Sequence, residues 1–575
     1  MAKITIPSQS GVRQLNINDT SGELWATRNI DLRTIPEKIK LARPMKRVMT
    51  DTQLEGDDVR ALSVFDGFAY ALTDENLYKS DISTNESLED WTVASTNPND
   101  GEDLAVFDDH LIIIQDTDMD AYTSSSYDSD WWTDRGNPTL DSSSPHIAVG
   151  IRRGAQIAVT DGDQVHAYGG TIAASTFQAT VQLTKGFVAT CMTDSETKTI
   201  YIGSSSNSTN EAFVFTWDGA KPEPSRAFPT GSQAVLSIVM VDGAPLIITE
   251  RGEIKIFNNA GFTTVAQLPF ATTEEFDRSV RSGSVASGIN APVHSKGMKR
   301  KGNIVYIRVN FKNQQPNQQI SYSLDERSPN GIWALDLTTY SLNHLASPAN
   351  EIGGRISSPI EILTNGDSRI LTGTQRQNDD CELWAEELDN SVENYGYFIT
   401  PEINSNTVRD VYKELVAQAF MEDTDTLTVK YRTKNVANYP LTDIDSTWAE
   451  TNQFNTTDDL SEAYSRFVSG ERDEVEILMG TNATRVAQIT SIEQSALTYS
   501  VTVDQDYGII GESTVVRIDN WKNIAKTMTA SDKEIARFGA GGTGSWGQFK
   551  VILSGKKNLP EVRQILIKTN PKEEL

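Results

Sequence analysis

ALSVFDGFAYALTDENLYKSDI, residues 61–82, and DLAVFDDHLIIIQDTDMDAYTS, residues 103–124, are two versions of one phrase. Each runs as a short apolar strand, a tight acidic or glycine turn, a second apolar strand, another small turn and a third strand. Their Phe-Asp turns, Phe65-Asp66 and Phe107-Asp108, stand 42 residues apart. That period falls in the range of propeller blades. Period-2 alternation makes each strand half-buried or packed on a neighbouring blade. Asp-Gly supplies the positive φ that narrow hairpins need.

Five looser versions follow, at residues 146–170, 186–219, 235–261, 294–342 and 358–389. Their turns include Arg153-Gly154, Asp161-Gly162, Asp242-Gly243 and Arg251-Gly252. One blade cannot cover both of its faces, whereas blades stacked around an axis can. The count is seven, with six or eight open because the fourth and sixth copies are irregular. A long β-sandwich, or two, is the plainer alternative. The expectation is an all-β chain: an irregular, seven-bladed β-propeller over residues 55–392, preceded by an N-terminal arm and ring-closing strand at 1–54.

After about residue 393 the repeat stops. TLTVKYRT (426–433), DEVEILM (473–479), GQFKVILSG (547–555) and PEVRQILIKTN (560–570) read as long strands joined by polar loops. They predict a jelly-roll-like β-sandwich over 393–483 and 521–575. Residues 484–520 are expected as a small β-barrel inserted into it, or else as further strands of the same sandwich. The loop FGAGGTGSWG, residues 538–547, puts five glycines around Trp546 and is a candidate contact loop. A phosphate cradle there lacks the strand–loop–helix setting and the lysine it needs.

Charge narrows the function classes. The chain has 575 residues, 51 Lys and Arg against 79 Asp and Glu, and a formal net charge of −28. Such a field repels nucleic acid and argues against a DNA-gripping protein. It suits a wall past which DNA slides. Arg28, Arg33, Lys38, Lys40, Arg43, Lys46 and Arg47 make one basic stretch in this acidic chain. It reads either as a solvated or ring-closing edge, or as an arm that docks on an acidic neighbour.

Few residues point to chemistry. The five histidines (His110, His146, His166, His294 and His344) form no HExxH or close metal set, and no GxSxG elbow occurs. Asp116, Asp118 and Asp120 alternate and could share a face for calcium, but the twelve-position loop is missing; a solvated acidic turn is the simpler reading. Trp91, Trp131 and Trp132 could stack on sugars or pack between blades. Cys191 and Cys381, the two cysteines, are expected as inert thiols. No apolar run of 18 residues occurs, so neither a signal peptide nor a membrane span is expected. No cofactor and no enzymatic activity are expected. Assembly inside a cell is.

The basic segment RNIDLRTIPEKIKLARPMKRV, the irregular repeats, and the later strands carrying VKYRT and PEVRQILIKTN occur in one order. This order resembles tail structural proteins of double-stranded DNA bacteriophages, and the nozzle or tubular protein of short-tailed phages above all. The resemblance implies a virion tail protein, made in the host cytoplasm. It implies copies of the chain, usually six, in a ring around the DNA channel, with adaptor and fibre proteins as neighbours and only transient, non-specific passage of DNA. It carries over no individual functional residue, and the C-terminal order departs from the usual nozzle. The alternative is a carbohydrate- or protein-binding propeller module, with a glycoside hydrolase further off.

Overall fold

The computed structural model describes residues 2–6, 24, 26–31, 39–83, 88–137, 139–142, 146–151, 154–174, 176–195, 199–206, 211–268, 293–309, 331–346, 348, 358–365, 367–375, 381–387, 395–400, 403–404, 410–421, 424–432, 439–440, 452–470, 472–477, 486–496, 498–505, 516–519, 521–529, 535–539, 543–544, 546–555 and 561–571. Among these, strands dominate and two short α-helices occur, Trp131–Asp134 and Ser461–Val468. The chain forms two compact units. One comprises Met45–Lys312 and Gly354–Leu388; the other comprises Met1–Pro44, Asn313–Gly353 and Asp389–Leu575.

Seven four-stranded antiparallel sheets follow one another along the chain. Their first strands are Ala61–Phe65, Gly101–Phe107, Ala148–Ile151, Phe187–Asp194, Val235–Val241, Met298–Lys301 and Ile360–Asn365. Each of these packs on the first strand of the next sheet, and the seventh packs on the first. That closed ring of seven is a β-propeller. Its last blade takes its fourth strand from the N-terminal part of the chain, where Met45–Met49 pairs antiparallel with Cys381–Glu386. Val48 and Met49 point into an apolar cluster with Leu62, Ala71, Leu371 and Leu383. The N-terminal segment is therefore divided: Met45–Met49 is propeller, while Ala26–Arg28 pairs with Tyr395–Ile399 in the other unit.

The hairpin geometry follows the sequence closely. Phe65 pairs with Phe68 across Asp66 and Gly67, whose φ values are 47° and 78°. Phe107 pairs with His110 across Asp108 and Asp109, at 47° and 56°. Positive φ at both central residues matches the right-handed twist of the flanking strands. Aspartate tolerates that region because its short side chain bonds locally. Asp242 and Gly243 repeat the arrangement in the fifth blade, at 48° and 86°.

In the other unit two antiparallel sheets share one core. The first contains Ala2–Ile6, Glu561–Pro571, Asp410–Phe420, Ile535–Gly539 and Thr543–Gly544. The second contains Ala26–Arg28, Tyr395–Ile399, Trp546–Ser554, Thr426–Arg432 and Lys522–Thr529, with Ile403–Asn404 alongside. Leu415, Ala417 and Val562 from the first meet Leu427, Val429, Val551 and Leu553 from the second.

A third sheet runs in the order Tyr439–Pro440, Val516–Asp519, Glu474–Ile477, Val486–Ser495, Thr498–Val503, Gln453–Thr456. The insert is thus wider than the expected 484–520 and takes in the DEVEILM strand and the helix Ser461–Val468. It has its own apolar core, including Phe454, Leu460, Val475, Ile489, Val501 and Ile518. Its described strands form a path with two ends, where a closed barrel was expected.

Candidate functional site

The basic residues singled out in the sequence are dispersed by the fold. Arg28 is buried, with Nη1 3.1 Å from Glu476 Oε1. Lys40 pairs with Glu561 at 2.8 Å, both largely covered. Arg43 is half-buried. Lys46 pairs with Glu89 at the surface, and the exposed Arg47 reaches the buried Glu382 at 2.8 Å. Arg33 and Lys38 lie outside the described residues. Trp546 begins the strand Trp546–Ser554, its backbone opposite Asn404, and its side chain lies outside the described set. No single docking patch gathers the described members of this stretch.

Arg28 belongs instead to a buried ionic seam. The face of the six-stranded sheet turned away from its core carries Arg28, Lys430, Arg432 and Lys550, with Tyr397 and Trp521 among them. The insert presents Glu474 and Glu476 from one strand and Asp519 from the next. Lys430 Nζ lies 2.6 Å from both oxygens of Glu474. Glu476 receives Arg28 and, at 3.6 Å, Lys550. Arg432 donates through Nε and Nη2 to Gln548 Oε1, at 2.9 and 2.7 Å, and its Nη1 is 3.5 Å from Asp519. The Arg432 guanidinium lies 4.3 Å from the Trp521 ring centre, and Lys550 Nζ 3.9 Å from that of Tyr397.

Strand periodicity builds this seam. Leu427 and Val429 enter the apolar core, so Lys430 and Arg432 share the opposite face beyond a local register shift. Val475 enters the insert core, which turns Glu474 and Glu476 together toward the cations. Burial raises the Glu474 carboxyl above its ordinary range and lowers the Lys430 ammonium; the pair's mutual attraction opposes both shifts. Desolvation therefore outweighs pairing here, as is common for buried ion pairs.

A second polar constellation crosses the propeller. Residues 293–297 lie just before the sixth blade, yet have partners in the fifth, the seventh and the second. Ser295 O accepts from Ser237 in the fifth blade at 2.9 Å, and Lys296 O from Ile360 N in the seventh at 3.1 Å. Lys296 Nζ reaches the second blade, 2.6 Å from Asp103 Oδ1 and 2.6 Å from Leu104 O. A segment with partners in those blades must pass over the middle of the ring. Beside it His294 is held down to about 3 by burial and by the charges of Lys296 and Arg60.

Asp103 and Glu102 also tie the second blade to the third. Asp103 Oδ2 accepts from Ala148 N at 2.8 Å, and Glu102 accepts from His146 N. The two His146 ring nitrogens each lie 2.8 Å from a backbone carbonyl, those of Thr160 and Asp116. Burial pushes Glu102 up to about 7, against the pull of His146.

The other chemical candidates have structural duties. Asp118 accepts from Met119 N and Thr133 N, and Asp120 from Asp130 N, Tyr127 and Gln115. These bonds hold the helix Trp131–Asp134 and occupy the oxygens that calcium would need. Among the described residues no group of three or more His, Cys, Asp or Glu is placed to hold a metal. Trp131 and Trp132 are fully buried against Phe107 and Tyr168; Trp91 is half-buried and donates to Leu88 O. Cys191 and Cys381 are buried thiols that form no disulfide, and burial raises Cys191 to about 12. No described helix is long and apolar enough to cross a membrane.

No protein-family model matches this chain, and no curated protein matches it. Solved structures do. The β-propeller domain of Cps50 (Swd1) from Myceliophteria thermophila aligns with a TM-score of 0.40 at 9% identity, covering 59% of this chain and 99% of that one. The WD40 β-propeller domain of Doa1 aligns at 0.39 and 12% identity, covering 60% and 97%. A chain of the mitotic checkpoint complex gives 0.36 and 10%, covering 60% and 96%. These scores are too low to bear on function, and the propeller assignment rests on the ring of paired strands described above.

Proposed function

We propose that this chain is a structural scaffold of a bacteriophage virion tail, nozzle-like, with copies arranged in a ring around the DNA channel. The observation that carries the scaffold reading is the tie across the propeller. Propeller hydrolases set paired carboxylates at an axial mouth. Here Asp103, on the first strand of the second blade, is neutralised by Lys296 from just before the sixth. The charged groups of the interior hold blades and sheets together, which suits a body that transmits load. The tail assignment is supported by the order of basic segment, propeller and further β-sheets, and by a net charge of −28 that would keep passing DNA from sticking. Mass spectrometry of purified virions tests it: the chain should occur in stoichiometric amounts with the tail proteins, and its absence would end the proposal.

The second reading, a carbohydrate- or protein-binding propeller module, is favoured by the propeller alone. Glycan-array binding by the purified chain, together with absence from virions, would select it.

A further inference from the structure

We propose that the insert, residues 439–519, is a charge-keyed, separable module that opens from the six-stranded sheet along the ionic seam while both sides stay folded. The two sides have independent apolar cores. Phe454, Val475, Ile489, Val501 and Ile518 close the insert; Leu427, Val429, Val551 and Leu553 close the host sheet, and no residue is common to both. The apolar residues on the seam face, Ala26, Tyr397, Ile399, Trp521 and Ile552, all belong to the host and cluster with one another. What the described part of the insert brings to the seam is carboxylate.

Docking by buried charge is specific but weakly stabilising, because each ion must leave water. Four cations face three carboxylates, all of them buried. Arg28 Nε is a buried donor with no acceptor. An apolar joint would tolerate sliding. This one matches only where Lys430 meets Glu474 and Arg432 meets Asp519. The root of the module is short on one side, since a single residue separates Asp519 from Trp521. Arg432 bonds the first and stacks on the second, so the seam has a clamp at its hinge and three further described ion pairs beyond it.

The test uses the full chain with spin labels at Val468→Cys, on the exposed end of the insert helix, and Thr527→Cys, exposed on the host strand. Their distance distribution is measured by pulsed electron resonance. Reversing one side (Glu474→Lys with Glu476→Lys) should raise the open population at least tenfold, with the insert's strands keeping their hydrogen-exchange protection. Reversing the other side as well (Lys430→Glu with Lys550→Glu) should restore the closed distance. The apolar pair Lys430→Met with Glu474→Leu should leave the insert closed. An unchanged distance in the first variant, loss of insert protection on opening, or failure of the second reversal to restore closure would each overturn the proposal.

Discussion

Lys296 and Glu102 show how single charges serve the propeller. Lys296 supplies the only described cation within reach of Asp103, which is 3% exposed and also accepts from two backbone amides. Lys296→Met should cost roughly 2–4 kcal/mol in urea unfolding, somewhat below the range for a fully enclosed pair because the lysine is a fifth exposed. A loss within about 0.5 kcal/mol, the usual surface value, would show that the tie bears no load. Glu102 has the opposite leaning. Its pKa is raised in the folded chain to about 7, from an ordinary 4.5, so its contribution is fully present below the ordinary value and is lost as pH rises through about 7. Wild type should therefore lose stability relative to Glu102→Gln between about pH 5 and pH 8, by about 1–3 kcal/mol. Thermal melts of both across that range would check it, and a constant difference would contradict it.

At the scale of elements, the strand Met45–Met49 makes the sharpest case. Its pairing with Cys381–Glu386 joins positions more than three hundred residues apart and completes the seventh blade. Val48 is 5% exposed in the cluster it shares with the first and seventh blades. Val48→Asp would bury an unpaired carboxylate and should cost about 3 kcal/mol or more. Lys46→Ala, two residues away, removes a surface pair with both side chains roughly half exposed, and should cost at most ~0.5 kcal/mol. Chemical denaturation of the two variants side by side distinguishes a closing strand from a decorative one: equal losses would deny it that role.

What could be read from the sequence divides along the same lines. Phe65-Asp66 and Phe107-Asp108 announced their hairpins because tight turns demand residues that accept positive φ, and apolar strands on both sides left no doubt about period. The outer strands of the blades were harder to see. Thr92–Ser95 and Arg226–Pro229 are exposed or half-exposed along their length, so no apolar alternation marks them. The insert was placed too narrowly for a related reason: Glu474 and Glu476 look like solvated charge until the strand bearing Lys430 and Arg432 is set against them. Both halves of the seam are visible as alternation, VKYRT and DEVEILM, but the match between them is a long-range fact. The basic stretch from Arg28 to Arg47 reads as one edge or one arm because its residues are adjacent in sequence, whereas strand pairing sends Arg28, Lys40 and the Lys46-Arg47 pair to three different sheets. Lys296 and His146 carried no local signal at all, since their roles depend on which blades the ring brings together.

For the whole molecule, the described interior charges are engaged in internal ties such as Lys296–Asp103, and the net charge of −28 governs what its surfaces can meet. In a ring of copies, like charges on neighbouring subunits would repel, so the contacts must place opposite signs together and leave the excess acid on the channel wall or the exterior. The most direct measurement is a cryo-electron microscopy reconstruction of the intact tail from virions that encode this chain. The account predicts seven-bladed discs repeated around the tail axis, six by the resemblance, outside an open central DNA channel. Tails without such density, with the chain recovered as a monomer absent from the particle, would contradict it.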